Sequence, residues 1–94
     1  MNTATIGRTT KGHRVWLQGI YSHMPAVVGM RYDVHYHGDD ITVYFYYTAK
    51  RKVTQSKGGI IDIESKKVTE WARGATMARV AYGHNTIIIT RGNI

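Results

Sequence analysis

The chain has 94 residues, no cysteine and a formal net charge of +7, with 13 Lys and Arg against six Asp and Glu. This length allows one small domain with one modest core, and the lack of cysteine excludes disulfides, thiolate metal sites and a cysteine nucleophile. The N-terminus lacks the charged start and apolar stretch of a signal peptide, and no apolar run approaches the roughly 20 residues of a spanning helix. We therefore expect one domain over residues 1–94, located in the cytoplasm, with no membrane partner.

The positive charge is unevenly distributed along the chain. Residues 1–48 carry four basic and three acidic side chains, whereas residues 49–94 carry nine and three. Such an excess favours a polyanionic partner, and nucleic acid is the first candidate. A strongly positive net charge that only keeps a small protein soluble is the alternative.

The first half of the chain is predicted to contain four strands and one short helix. Strands over 4–10 and 13–18 are separated by the turn dipeptide Lys11-Gly12. A short helix limited by Pro25 is predicted within 21–28. Alternation of apolar and polar residues from 31 to 37 predicts a half-buried strand, which a tight turn joins to an aromatic strand over 41–47.

The second half repeats this order of elements. Strands are predicted over 51–55 and 59–63, with a turn between them, and over 77–82 and 86–91. A helix is predicted over 64–73, because Val68, Trp71 and Ala72 form one apolar face, and Gly74 is suited to end it. Each half is thus expected to be strand, strand, short helix, strand, strand.

The two halves also match residue by residue. Lys11-Gly12 corresponds to Lys57-Gly58, and the match continues through Val34 with Val80, each 46 residues after its counterpart. A unit this short cannot easily bury its own apolar face. We expect internal repeats at about 4–45 and 51–90 that pair into one fold, either within one chain or by exchange between two chains of a homodimer.

Aromatic and histidine side chains on two strands raise further possibilities. We expect Phe45 and Tyr47 on one face of their strand and Tyr44 and Tyr46 on the other, where they could stack on an unpaired base or pack on a protein. Trp71 is expected to anchor the core.

Two histidines suggest a metal site, but only weakly. His35 and His37 share one strand face, yet a third ligand at metal spacing is missing, so we expect no metal site and no cofactor. The sequence also lacks a nucleophile elbow, a phosphate loop and a dinucleotide fingerprint, and we do not expect an enzyme.

The succession of a basic strand, a Lys-Gly turn, a strand ending in Val15-Trp16-Leu17 or Ile61-Asp62-Ile63, a short helix, a glycine and a strand hairpin resembles the SpoVT-AbrB, or swapped-hairpin, superfamily. The resemblance implies a mainly β fold with short helices, a swapped-hairpin β-barrel built here from two pseudo-symmetric ββαββ repeats in one chain. Members include bacterial DNA-binding regulators and antitoxins of the AbrB and MazE type, and SymE-like toxins that act on nucleic acid.

The resemblance also implies which residues contact nucleic acid. The basic positions of the first hairpin in each repeat, together with the lysines of the second helix, are the candidates. They are Arg8, Lys11, Arg14, Arg51, Lys52, Lys57, Lys66 and Lys67. Basic strands and turns can reach into a groove, where arginine bonds guanine and lysine neutralises phosphate.

Three functions from different classes follow. The first is a transcriptional regulator that binds double-stranded DNA through its basic hairpins. The second is a protein-binding inhibitor or antitoxin, such as a phage-type inhibitor of a host nucleic-acid machine. The third is a SymE-like toxin acting on RNA or DNA.

Overall fold

The computed structural model describes residues 2–92. The chain is mainly β, with eight strands and two short helices in this range. The strands are β1 (Asn2–Thr9), β2 (Gly12–Gln18), β3 (Arg31–His37), β4 (Asp40–Tyr46), β5 (Arg51–Lys52), β6 (Ile60–Ser65), β7 (Met77–Tyr82) and β8 (Thr86–Arg91). The helices are α1 (Ile20–His23) and α2 (Lys66–Ala72), and 3-10 turns occupy Pro25–Val27 and Ser56–Gly58.

The strands form one curled, half-barrel sheet in the order β5-β3-β4-β8-β7-β1-β2-β6, and every pairing between them is antiparallel. An isolated bridge between Thr54 and Ile60 connects the chain just after β5 with the start of β6. Because β5 and β6 are the outer strands of the sheet, this bridge brings its two edges together at one end.

Alternation along the strands places the core on the concave side of the sheet. The apolar Ile41, Val43 and Phe45 of β4 are buried, whereas Tyr44 and Tyr46 are exposed; Thr42 is also buried. The same period of two buries isoleucines of β6 and β8 completely. This confirms the predicted division of β4 except at Tyr47, which lies beyond the strand and is 71% exposed.

The pairing registers in the two halves of the chain correspond. Val34 pairs with Val43 in the β3–β4 hairpin, and the residues 46 positions later, Val80 and Ile89, pair in the β7–β8 hairpin. Three further strand pairings join the first half of the chain to the second. They are β2 with β6, β4 with β8, and β1 with β7.

Helix α2 covers one end of the sheet. Ser65 caps it by accepting the backbone N–H of Val68, and Val68, Trp71 and Ala72 are buried as the apolar periodicity predicts. The helix begins two residues later than expected from the sequence, because Glu64 and Ser65 remain paired with β2.

Two other predicted elements are shorter than expected. The helix predicted within 21–28 divides into α1 and a 3-10 turn, with Pro25 at the first position of the turn. The strand predicted over 51–55 keeps only Arg51 and Lys52 in ladder pairing, plus the single bridge of Thr54.

The tip of the first hairpin packs directly on the start of α2. Gly12 has a φ of +133°, and a Cβ built on it would lie 2.8 Å from the carbonyl oxygen of Ser65 and 2.9 Å from the hydroxyl of Thr69. The ring Nδ1 of His13 lies 2.7 Å from the same hydroxyl. Only glycine allows this approach, so the turn fixes the hairpin against the helix.

We expect Gly12→Ala to lower the free energy of unfolding by about 3 kcal/mol, because it adds a backbone clash to the strain of a positive φ. Gly29→Ala is the matched control, since Gly29 has a φ of +84° but an added Cβ meets nothing within 4 Å. That control should lose about 1 kcal/mol from conformation alone. Urea unfolding of the two variants measures both values, and equal losses would contradict tight packing at the tip.

Candidate nucleic-acid interface

Four of the eight predicted interface residues lie at the end of the sheet that α2 covers. Residues 8–13 of the first hairpin and Lys66, Thr69 and Glu70 of α2 line an open cleft of about 500 Å³, here called the basic cleft. Arg8, Lys11 and Lys66 supply its cations from a strand, a turn and a helix. Lys67 follows on the same helix.

Local structure explains why these cations reach the cleft. Arg8 lies on the same strand face as the buried Ala4 and Ile6, but near the end of β1, where the core stops and the side chain is exposed. Lys11 occupies the exposed hairpin tip, and Lys66 is the first residue of α2 after its Ser65 cap.

Hydrogen bonds fix α2 to the rest of the sheet. The indole N–H of Trp71 donates to the carbonyl of Asp39 at 3.0 Å, and the guanidinium of Arg91 donates to the carbonyl of Trp71 at 2.7 Å. Arg91 also pairs with the Asp39 carboxylate. These bonds connect the helix to the β3–β4 turn and to β8, and they confirm Trp71 as a buried anchor with a satisfied polar group.

A second opening, here called the aromatic cleft, lies on the other side of α2. It has a volume of about 530 Å³ and is bounded by β3 and the helix. Its lining residues are Val34, His35, Tyr36, Gly38, Lys67, Glu70 and Trp71. Glu70 borders both clefts, and the Nζ of Lys67 lies 5.9 Å from the centre of the Tyr36 ring.

Arg14 points away from both clefts, on the outer face of the sheet. It forms a two-pronged contact with Asp62 of β6, at 3.1 Å and 2.6 Å, and lies over the ring of Trp16 at 5.0 Å. Asp62 raises the pKa of Arg14, mainly through this hydrogen bond. The geometry is that of a strong arginine–carboxylate pair, so Arg14 already has a partner.

The second-half hairpin cations predicted at the interface lie far from the basic cleft, measured along the strands. They are Arg51, Lys52 and Lys57. Arg51 and Lys52 form the short β5, and Lys57 lies at the tip of the second hairpin with a φ of +53°. The two hairpin tips meet opposite ends of the antiparallel β2–β6 pair. They are separated by roughly 17 Å of strand, so the predicted residues form at least two groups.

Burial and charge act in opposite directions on Tyr32, next to β5. Burial raises the pKa of the Tyr32 hydroxyl, and the positive charge of its cross-strand partner Arg51 opposes that rise. Arg31, also next to β5, donates to the carbonyls of Ala49 and Lys50 at 2.5 Å and 2.6 Å. The guanidinium of Arg31 therefore holds the segment that joins β4 to β5.

Three residues that shape the clefts carry no functional signal in the sequence, namely Tyr36, Thr69 and Glu70. Alternation with polar residues marks Tyr36 only as a strand position. Thr69 and Glu70 lie on the polar face of α2, and the sequence contains no signal that this face meets the first hairpin. Their importance comes from contacts between residues about 30 to 60 positions apart.

An exposed network connects β3, β4 and the turn after β4. The carboxylate of Asp33 accepts hydrogen bonds from the Tyr46 hydroxyl and from the backbone N–H of Lys50, the latter at 3.0 Å. These bonds lower the pKa of Asp33, the Tyr46 hydroxyl contributing most. The same bond raises the pKa of Tyr46.

The part of the chain that the structure describes contains no group of three His, Cys, Asp or Glu side chains arranged to hold a metal ion. His35 and His37 stack with their ring centres 6.0 Å apart. Among residues 2–92, no helix has the length and apolarity needed to cross a bilayer.

Comparisons with protein-family models, with curated proteins and with solved structures found no match to this chain.

We expect Asp33→Asn to be less stable than the wild type at pH 7, with the difference disappearing in acid. The folded pKa of Asp33 lies below the ordinary carboxyl value of about 3.9, so its stabilisation is present above that value and is lost as the pH falls through the folded pKa. Urea unfolding at several pH values between 7 and 2 measures the difference.

The control for this prediction is Tyr46→Phe, which removes the hydroxyl that lowers the pKa most. Its acid dependence should be weaker than that of the wild type. A stability difference between Asp33→Asn and the wild type that is the same at pH 7 and pH 2 would show that the carboxylate charge has no role.

Proposed function

We propose that the protein binds nucleic acid, with double-stranded DNA as the favoured partner, and that the basic cleft is its main phosphate-binding surface. The observation that carries the proposal is the convergence of Arg8, Lys11 and Lys66 on one cleft. Each comes from a different segment, and the hairpin tip is fixed against α2 by Gly12 and His13. Because the backbone that carries these exposed cations is held in place, only their side chains become ordered on binding, which favours affinity for a phosphate backbone.

Charge pairing within the protein supports the same proposal. Residues 2–92 contain two ion pairs, Arg14 with Asp62 and Arg91 with Asp39. Most of the 13 Lys and Arg side chains therefore have no carboxylate partner in this range and are available to an external anion. Clustered unpaired cations on a small protein are typical of nucleic-acid binding.

The proposed architecture is a tandem swapped-hairpin fold. Equal registers 46 residues apart support it, as do the pairings of β2 with β6 and of β4 with β8, each of which joins equivalent strands of the two halves. In this proposal the chain is a fused pseudo-dimer related to the SpoVT-AbrB superfamily, and it acts as a transcriptional regulator.

Inhibition of a protein is the second candidate function. Trp16, Met77 and Ile88 are between 40% and 46% exposed on the outer face of the sheet, where a protein partner would bury them. A stoichiometric partner that resists nuclease treatment and is lost from a Trp16→Ser variant would favour this candidate over DNA binding.

We expect the triple variant Arg8→Gln, Lys11→Gln, Lys66→Gln to bind duplex DNA at least tenfold more weakly than the wild type at 0.1 M salt. Each cation that no longer neutralises a phosphate should also reduce the slope of log affinity against log salt by about 0.9. Fluorescence anisotropy with a labelled duplex, titrated at several salt concentrations, measures both quantities. The melting temperature should change little, since all three side chains are exposed.

The matched control is Lys52→Gln, Lys57→Gln, Arg79→Gln, which removes the same charge from side chains that line neither cleft. Its affinity should fall much less. Equal losses in the two triple variants would mean that net charge alone attracts the DNA, and the basic cleft would then not be the binding surface.

A further inference from the structure

The aromatic cleft differs in chemistry from the basic cleft beside it. It is lined by one cation, Lys67, and one carboxylate, Glu70, together with the aromatic residues Tyr36 and Trp71. We propose that it receives an unpaired nucleobase of the nucleic acid whose phosphates bind in the basic cleft. This inference rests on the proposed function and adds the kind of nucleic acid that is bound, a duplex with a single-stranded extension.

The two clefts are neighbours on the same helix. Lys66 borders the basic cleft, Lys67 borders the aromatic cleft, and Glu70, one turn later, borders both. Consecutive groups of a nucleic-acid strand are covalently joined, so a strand whose phosphate lies at Lys66 carries a base within reach of Lys67. The arrangement fits one strand passing over α2.

Tyr36 provides the stacking surface. Its side chain is half-buried against the core, which fixes the ring, and one face is open to the cleft, where the Nζ of Lys67 lies 5.9 Å from the ring centre. Lys67 is exposed and has a long side chain, so its ammonium can leave the ring for a phosphate while a base takes its place. A base stacked on a fixed aromatic ring gains binding energy with little dependence on sequence.

The polar groups of the cleft suit a base better than a phosphate. In the aromatic cleft the Glu70 carboxylate offsets the single cation Lys67, whereas three cations outweigh it in the basic cleft. Its oxygens can accept a hydrogen bond from the amino group of cytosine, adenine or guanine. Strand β5 pairs only with Arg31 and Tyr32, which leaves the edge of β3 from Asp33 to His37 without a strand partner on that side among residues 2–92. Backbone groups along this edge are therefore available to the edge of a base.

A fully paired duplex cannot fill this cleft, because its bases are stacked inside the helix. A base at a single-stranded end is free to enter without the cost of unpairing. We therefore expect a preference for duplexes with an extension over blunt duplexes.

The experiment compares a blunt duplex with the same duplex carrying a three-cytosine extension, by fluorescence anisotropy at one salt concentration. The extended duplex should bind about tenfold more tightly than the blunt one, from stacking of one base. With 5-iodocytosine in the extension, irradiation should cross-link the base to the peptide that contains Tyr36.

Two variants assign the gain to the ring. Tyr36→Phe keeps the ring and removes only the weak hydrogen bond of the hydroxyl with Ser65 at 3.5 Å, so it should keep the tenfold preference. Tyr36→Leu should bind both duplexes equally. Tyr44→Leu, which removes an exposed ring from the outer face of β4, is the control and should retain the preference.

Equal binding of blunt and extended duplexes by the wild type, without a cross-link to Tyr36, would overturn this inference. If both duplexes were still weakened by the Arg8, Lys11 and Lys66 triple variant, the proposed function would stand. The absence of binding to either duplex would overturn both proposals. Because the wild-type measurements decide these outcomes, they hold even if Tyr36→Leu does not fold.

Discussion

The contact between the first hairpin tip and α2 is the constraint on which the candidate interface depends. Gly12 lies so close to Ser65 and Thr69 that no Cβ fits between them, and His13 reaches the Thr69 hydroxyl. This contact places Arg8 and Lys11 opposite Lys66 and positions Glu70 between the two clefts. Without it, the same side chains would be separate charges on a strand, a turn and a helix.

The strands of the fold could be predicted from the sequence to a large extent, because alternation is a local signal. Residues 77–82 and 86–91 have the predicted bounds, and the buried apolar positions of β4 follow the period of two. The weaker predictions are those in which distant pairing competes with local preference. Glu64 is a good helix former and lies two residues before α2, but it pairs with Arg14 of β2, and that pairing keeps it in a strand.

The candidate site was predictable only in part, for a related physical reason. The sequence shows which side chains are basic, but it does not show which of them already have a partner. Arg14 and Asp62 are 48 positions apart, and their pairing depends on the register of β2 with β6. The grouping of Lys66 with Lys11 likewise depends on where α2 meets the hairpin. Tyr36 becomes a candidate stacking surface only because the fold places its ring beside Lys67 of α2.

The charge of each half of the sequence does not correspond to the charge of each region in space. The basic cleft combines Arg8 and Lys11 from the first half, which is nearly neutral, with Lys66 from the second, which carries most of the excess. The equivalent place at the second hairpin tip brings Gly59 beneath Tyr21 of α1, a helix of four residues with no Lys or Arg. The two ends are therefore built by similar pairings but carry different chemistry. The strand differs as well as the helix, because the residue 46 positions after Arg8 is Thr54, and neither half alone contains the parts of the basic cleft.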